Sequence, residues 1–262
     1  MSRADRNRQR AKEKVAQARA AQAKRRRRRL TLSVAGAVVV VAGAATGIAL
    51  AVGGSGSGTR PGGPSSPHLR LAPLSTLGPL KPALPPGPFG PEGVPIPKGA
   101  APLATTATKT TGQVVDGIGC QTSEQTIFHI HSHLTVFVNG SPRQIPAGIG
   151  IPGAQAQSTP QGPFIDSGTC FYWLHTHAAD GIIHIESPIH RIYTLGNFFD
   201  EWRQPLGPNQ VGPVTGHVTA LYNGKVYRGN PRDIPLNAHS QIQLEVGTPL
   251  IAPESIAWPS GL

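Results

Sequence analysis

Residues 128–140 read FHIHSHLTVFVNG, and no other stretch of the 262-residue chain restricts its fold so tightly. Side chains alternate across a β-strand, so residues i, i+2 and i+4 share one face. Phe128, Ile130, Leu134, Val136 and Val138 then form an apolar face, while His129, His131 and His133 stand together on the other. A helical period would scatter both sets. The Asn139-Gly140 dipeptide that follows signals a type I′ hairpin turn.

Further strand signals run down the chain. CFYWLHTH (170–177) meets GIIHIE (181–186) across a loop at 178–181, with Asp180 as a turn residue before Gly181. That loop length pairs 177 with 182 and 175 with 184, and sets Glu186 opposite Trp173. HVTALY (217–222) turns through Asn223-Gly224 into KVY (225–227), and SQIQLEV (240–246) alternates once more. One helix is expected: Thr194 as N-cap, then LGNFFDEWR, with Leu195, Phe198, Phe199 and Trp202 in one stripe. The expected fold is mainly β, a sandwich or barrel of antiparallel hairpins with one short helix, over residues 112–262. An internal echo supports it. His133–Gly140 aligns with His217–Gly224, followed by PRQIP (142–146) and PRDIP (231–235). The second copy has Pro213 and Thr215 where the first has His129 and His131, so the fold of the unit does not need those two imidazoles.

Six of the ten histidines, His129, His131, His133, His175, His177 and His184, fall within residues 129–184. Opposed Cβ atoms on neighbouring strands lie about 4.5–5.5 Å apart, close enough for two rings to grip one ion. Imidazoles at i and i+2, joined by a third from another strand, are what Zn²⁺ or Cu²⁺ sites require. All six are candidate metal ligands, and His175, His177 and His184 already form a three-nitrogen cluster from one hairpin. Glu186 lies on the His184 face, where it could orient an imidazole or serve as the base on a metal-bound water. His217 would approach only if the two repeats faced each other; His190 and His239 read as surface or strand-end residues. Cys120 and Cys170 are expected to form a disulfide, and strand parity places Cys170 away from the histidine face. Met1 is the sole methionine, so soft Cu(I) handling is not expected.

CFYWLHTHAADGIIHIESP, with HIHSHLTVFVNG before it and YTLGNFFDEW after it, resembles a pattern in exported or membrane-anchored bacterial proteins with HxHxH and LHTHxxxGIIHIESP motifs. The resemblance covers residues 127–205 and implies no particular activity.

The rest of the chain speaks to location. Residues 1–29 carry 13 Lys and Arg against Asp5 and Glu13, which is 13 − 2 = +11, the whole formal charge. Such a tail is expected to lie in the cytoplasm against anionic lipid headgroups, and no nucleic-acid partner is expected. Residues 30–52 hold no charge, and at ~1.5 Å per residue they span roughly 34 Å, enough to cross a bilayer. Arg25 to Arg29 abut the N-terminal end of that run, which orients the chain with its C-terminal domain extracytoplasmic. A cleaved signal peptide is the competing reading. Residues 53–111 are rich in Pro and Gly, with 13 prolines in 53–104, and are expected to form a disordered, semi-extended linker. Three functions fit: a single-pass cell-membrane protein binding copper or zinc; a metal-dependent enzyme with three His ligands, an open water site and Glu186 as proton handler; or an envelope interaction module with a histidine pH switch.

Overall fold

The computed structural model describes residues 69–105 and 111–262. The basic tail, the apolar run 30–52 and the first part of the expected linker lie outside the described residues. Among the described residues no helix is long and apolar enough to cross a membrane.

The strands follow in chain order. They begin with β1 (Leu71–Ala72), β2 (Cys120–Gln121), β3 (Phe128–Val138) and β4 (Ser141–Arg143). Next come β5 (Gln155–Thr159), β6 (Gly162–Ser167), β7 (Phe171–Tyr172), β8 (Leu174–His175) and β9 (Ile182–Ser187). The helix α1 (Leu195–Trp202) precedes β10 (Leu206–Gly207), β11 (Gln210–Val211) and β12 (Val214–Thr215). The last are β13 (Val218–Tyr222), β14 (Lys225–Tyr227) and β15 (Ser240–Val246). Among the described residues the protein is mainly β with one short α-helix, as its alternation implied.

One large sheet runs β1-β14-β13-β15-β3-β9-β8, with β4 hydrogen-bonded to β3. Its path is open, and β15 pairs with β3 in parallel, so a closed barrel of antiparallel hairpins is not what forms. The two Asn-Gly turns do what their chemistry requires. Asn139 and Gly140 have φ of 49° and 73°, and Asn223 and Gly224 have 48° and 72°, the positive values of a type I′ hairpin.

The even-numbered side chains of β3 face the helix. Thr194 caps α1 by accepting from the Asn197 N–H, and Asn197 returns the bond to the Thr194 backbone. Leu195, Phe198, Phe199 and Trp202 are fully buried in one core with Leu134, Val136, Ile183, Ile185 and Leu174. Each such side chain is worth about 1.5–3 kcal/mol of burial.

The Pro-rich segment is where the expected linker is corrected. Residues 69–105 do not stand off as a spacer. β1 extends the sheet edge at β14, Lys81 bridges to Ile251, and the Leu103 N–H donates to the Gln144 carbonyl at 2.9 Å. Val94 and Leu103 are buried. A proline-rich segment cannot build a core, but its extended backbone can add to an existing sheet and lend a few apolar side chains to it. The C-terminal segment is held beside it by side chains of β15. Ile251 N–H donates to Glu245, Glu254 N–H to Gln243 and Ile256 N–H to Gln241, each at 2.8 Å. Cys120 and Cys170 form the expected disulfide, fastening the β2–β7 region across 50 residues. Closing a loop of that length contributes about 3–4 kcal/mol on the chain-entropy model.

Candidate metal centre

Strand register assembles the site. β9 lies between β3 and β8, and its His184 is directly opposite His131 on one side and His175 on the other. The next rung places Glu186 opposite His129. The turn that delivers β9 needs glycine: Gly181 has φ +86°, and a Cβ there would lie 2.4 Å from the Leu134 carbonyl oxygen. His177, just past β8, closes over the row with its ring centroid 4.5 Å from that of His184.

Backbone carbonyls set the protons on two of these rings. His175 Nδ1–H donates to the Tyr172 carbonyl at 2.8 Å, and His177 Nδ1–H donates to that of Ile165. A neutral ring with its proton on Nδ1 leaves a lone pair on Nε2. Those two Nε2 atoms face each other at 3.1 Å. Burial, then the neighbouring His177 and His184, hold the His175 ring well below its ordinary pKa, so it stays neutral. Two opposed lone pairs in a buried site could hold a cation between them.

The second half of the site is built the same way. His129 and His131 bring their Nε2 atoms to 3.0 Å, and His129 Nε2 lies 3.0 Å from Glu186 Oε1. Burial, with His184 and His129 adding to it, lowers His131 to about 3. His184 behaves oppositely. Burial alone would lower it, but hydrogen bonds to Glu186 and Glu92 carry it up to about 9. Burial works to raise the Glu186 carboxyl, yet hydrogen bonds from His129 and His184 hold it well below the usual carboxylate range. An ionised Glu186 at ligand distance suits a metal donor better than the proton handler expected from sequence. Two groups close within 4.8 Å: His129, His131, His184 and Glu186, and His175, His177, His184 and Glu186.

The structure leaves His133 out of both groups. Its Nε2–H donates to the Asp180 carbonyl at 2.8 Å. Its ring lines a separate pocket of about 740 Å³ with Asp180, Thr135 and Pro-rich residues 83–87. His190 packs on Phe128, His239 stacks on Trp258, and His217 is exposed away from the cluster. The disulfide removes both cysteines from metal binding.

Two acids escaped sequence reasoning. Glu92 sits at the tip of a turn in the Pro-rich segment and accepts from His184 Nε2–H at 2.6 Å. Glu124 lies 3.4 Å from His177 Nε2. Glu92 had one signal, since it is the sole acidic residue between positions 53 and 115. Glu124 had none.

The donors are imidazole nitrogen and carboxylate oxygen, a set that Zn²⁺, Cu²⁺ and Fe²⁺ all accept. No protein-family model, no curated protein and no solved structure matches the chain.

Proposed function

We propose that this chain is a single-pass membrane protein whose extracytoplasmic β-domain binds a divalent transition metal, copper or zinc. The observation that carries the reading is the pair of Nε2 lone pairs on His175 and His177, fixed by backbone carbonyls and aimed at each other 3.1 Å apart in a buried site. Histidines kept for packing or as a pH switch do not require that arrangement; a bound cation does. The Cys120–Cys170 disulfide is consistent with an oxidising compartment outside the cytoplasm. The uncharged run at 30–52, flanked by Arg25 to Arg29, supplies the anchor and its orientation.

The test is direct. Full-length chain purified in detergent, stripped with chelator and re-equilibrated with zinc or copper, is analysed by elemental mass spectrometry and thermal unfolding. Stoichiometric retention and a raised Tm are expected; a metal held at 100 times its Kd adds about 2.7 kcal/mol. No retained metal and an unmoved Tm would refute the reading.

A further inference from the structure

We infer that the site is built for two ions, with the Glu186 carboxylate spanning them; this rests on the metal-binding reading above. Each His-x-His pair is already a chelate. The Nε2–Nε2 separations are 3.0 Å for His129 and His131 and 3.1 Å for His175 and His177. An ion with bonds of about 2.0–2.1 Å requires ligand-to-ligand edges of roughly 2.9–3.4 Å, between octahedral and tetrahedral geometry. Both pairs meet that bite unaided.

One ion cannot be shared by both pairs. β3 and β8 lie on opposite sides of β9, so His131 and His175 are two strand spacings apart, about 9–10 Å along the sheet. The His184 ring stands between them, its centroid 4.6 Å from that of His131 and 5.5 Å from that of His175. Accordingly the donors fall into two groups, which overlap only in His184 and Glu186.

Glu186 has the orientation of a bridge. Its Oε1 lies 3.0 Å from His129 Nε2, and its Oε2 points to the other pair, 4.0 Å from His175 Nε2. Oε2 is buried and has no hydrogen-bond partner among the described residues. A buried carboxylate oxygen without a donor costs free energy that a second ion would recover. Glu124, beside His177, can complete the β8 ion, and His184 is within reach of either.

The experiment uses the full-length chain, stripped and titrated with Zn²⁺ and separately with Co²⁺. Two ions per chain are expected, with metal–metal scattering in X-ray absorption at the roughly 3.5–4 Å of two-metal sites. The double variants His129→Gln/His131→Gln and His175→Gln/His177→Gln should each retain one ion and lose the scattering path. One ion per wild-type chain, or two ions without that path, overturns the inference while leaving the proposed function standing. No ion at all removes the proposed function itself. Should either variant fail to fold, as judged by circular dichroism, the wild-type stoichiometry and scattering still decide.

Discussion

The chain carries its strand–turn–strand unit twice, as β3–β4 and β13–β14, and only one copy carries residues of the candidate metal centre. The two share a type I′ Asn-Gly turn, and each later buries an isoleucine, Ile145 and Ile234, from its Pro-Arg-x-Ile-Pro stretch. Both lie beside β15, β13 antiparallel and β3 parallel to it. They differ before the shared strand. β3 begins at Phe128, and its first six residues pair with β9 while its later ones pair with β15. In the other copy the corresponding stretch contains Pro213 and Gly216, with φ +151° at Gly216, and β13 begins only at Val218. Proline cannot donate to a ladder and a glycine in this conformation breaks one. The stretch that corresponds to the extension pairs with β11, which brings no histidine or carboxylate, and not with a strand like β9. The imidazoles are thus an addition to the unit, supported by one strand extension. The histidine that both copies share, His133 in one and His217 in the other, is the one that lies outside the metal groups in each case.

The comparison breaks first at the ligands. His175→Ala should weaken zinc affinity by more than the 10–100-fold typical of losing a mere orienting partner, whereas His190→Ala should leave it unchanged. Competition against a chromogenic chelator measures both, and equal effects would dissolve the cluster. Next comes the shared core: Phe198→Ala should cost about 3–5 kcal/mol in denaturant unfolding, because the ring is fully buried under the sheet.

A smaller effect is the acid sensitivity of the metal-free chain. His131 and His133 titrate near 3 and 4 when folded, against 6.5 for a free ring. Between those values the unfolded chain binds more protons, so stability is full above about 6.5 and drains as pH falls toward 3. His184, raised to about 9, contributes in the opposite sense, fully below 6.5 and lost as pH rises through 9. Urea midpoints across pH should therefore peak near neutrality, and a flat profile would contradict the buried neutral rings. Smallest of all, His133→Gln should leave metal stoichiometry intact. Placing histidines at Pro213 and Thr215 should add no ion, since the strand facing them, β11, offers no histidine or carboxylate. Elemental analysis checks both, and a gained ion would mean that β9 is dispensable.

Much of this was legible beforehand. The His175–His184 pairing follows from loop length, the turns from Asn-Gly, the helix from its cap and stripe, and the disulfide from an even count of cysteines. The Pro-rich segment misled because composition measures what a segment can bury by itself, and residues 69–105 borrow a core built by others. His133 misled because parity alone admits it to the row, whereas the structure binds its ring to the Asp180 carbonyl and leaves it out of both groups.

The division has a physical cause. Alternation, turn geometry and capping act over a few residues, so the chain alone determined which side chains share a face and which hairpins form. Which strands become neighbours depends on packing between distant segments. The placement of β9 between two His-x-His pairs, and the arrival of Glu92 at His184 from 92 positions away, were decided only when the sheet packed onto its core.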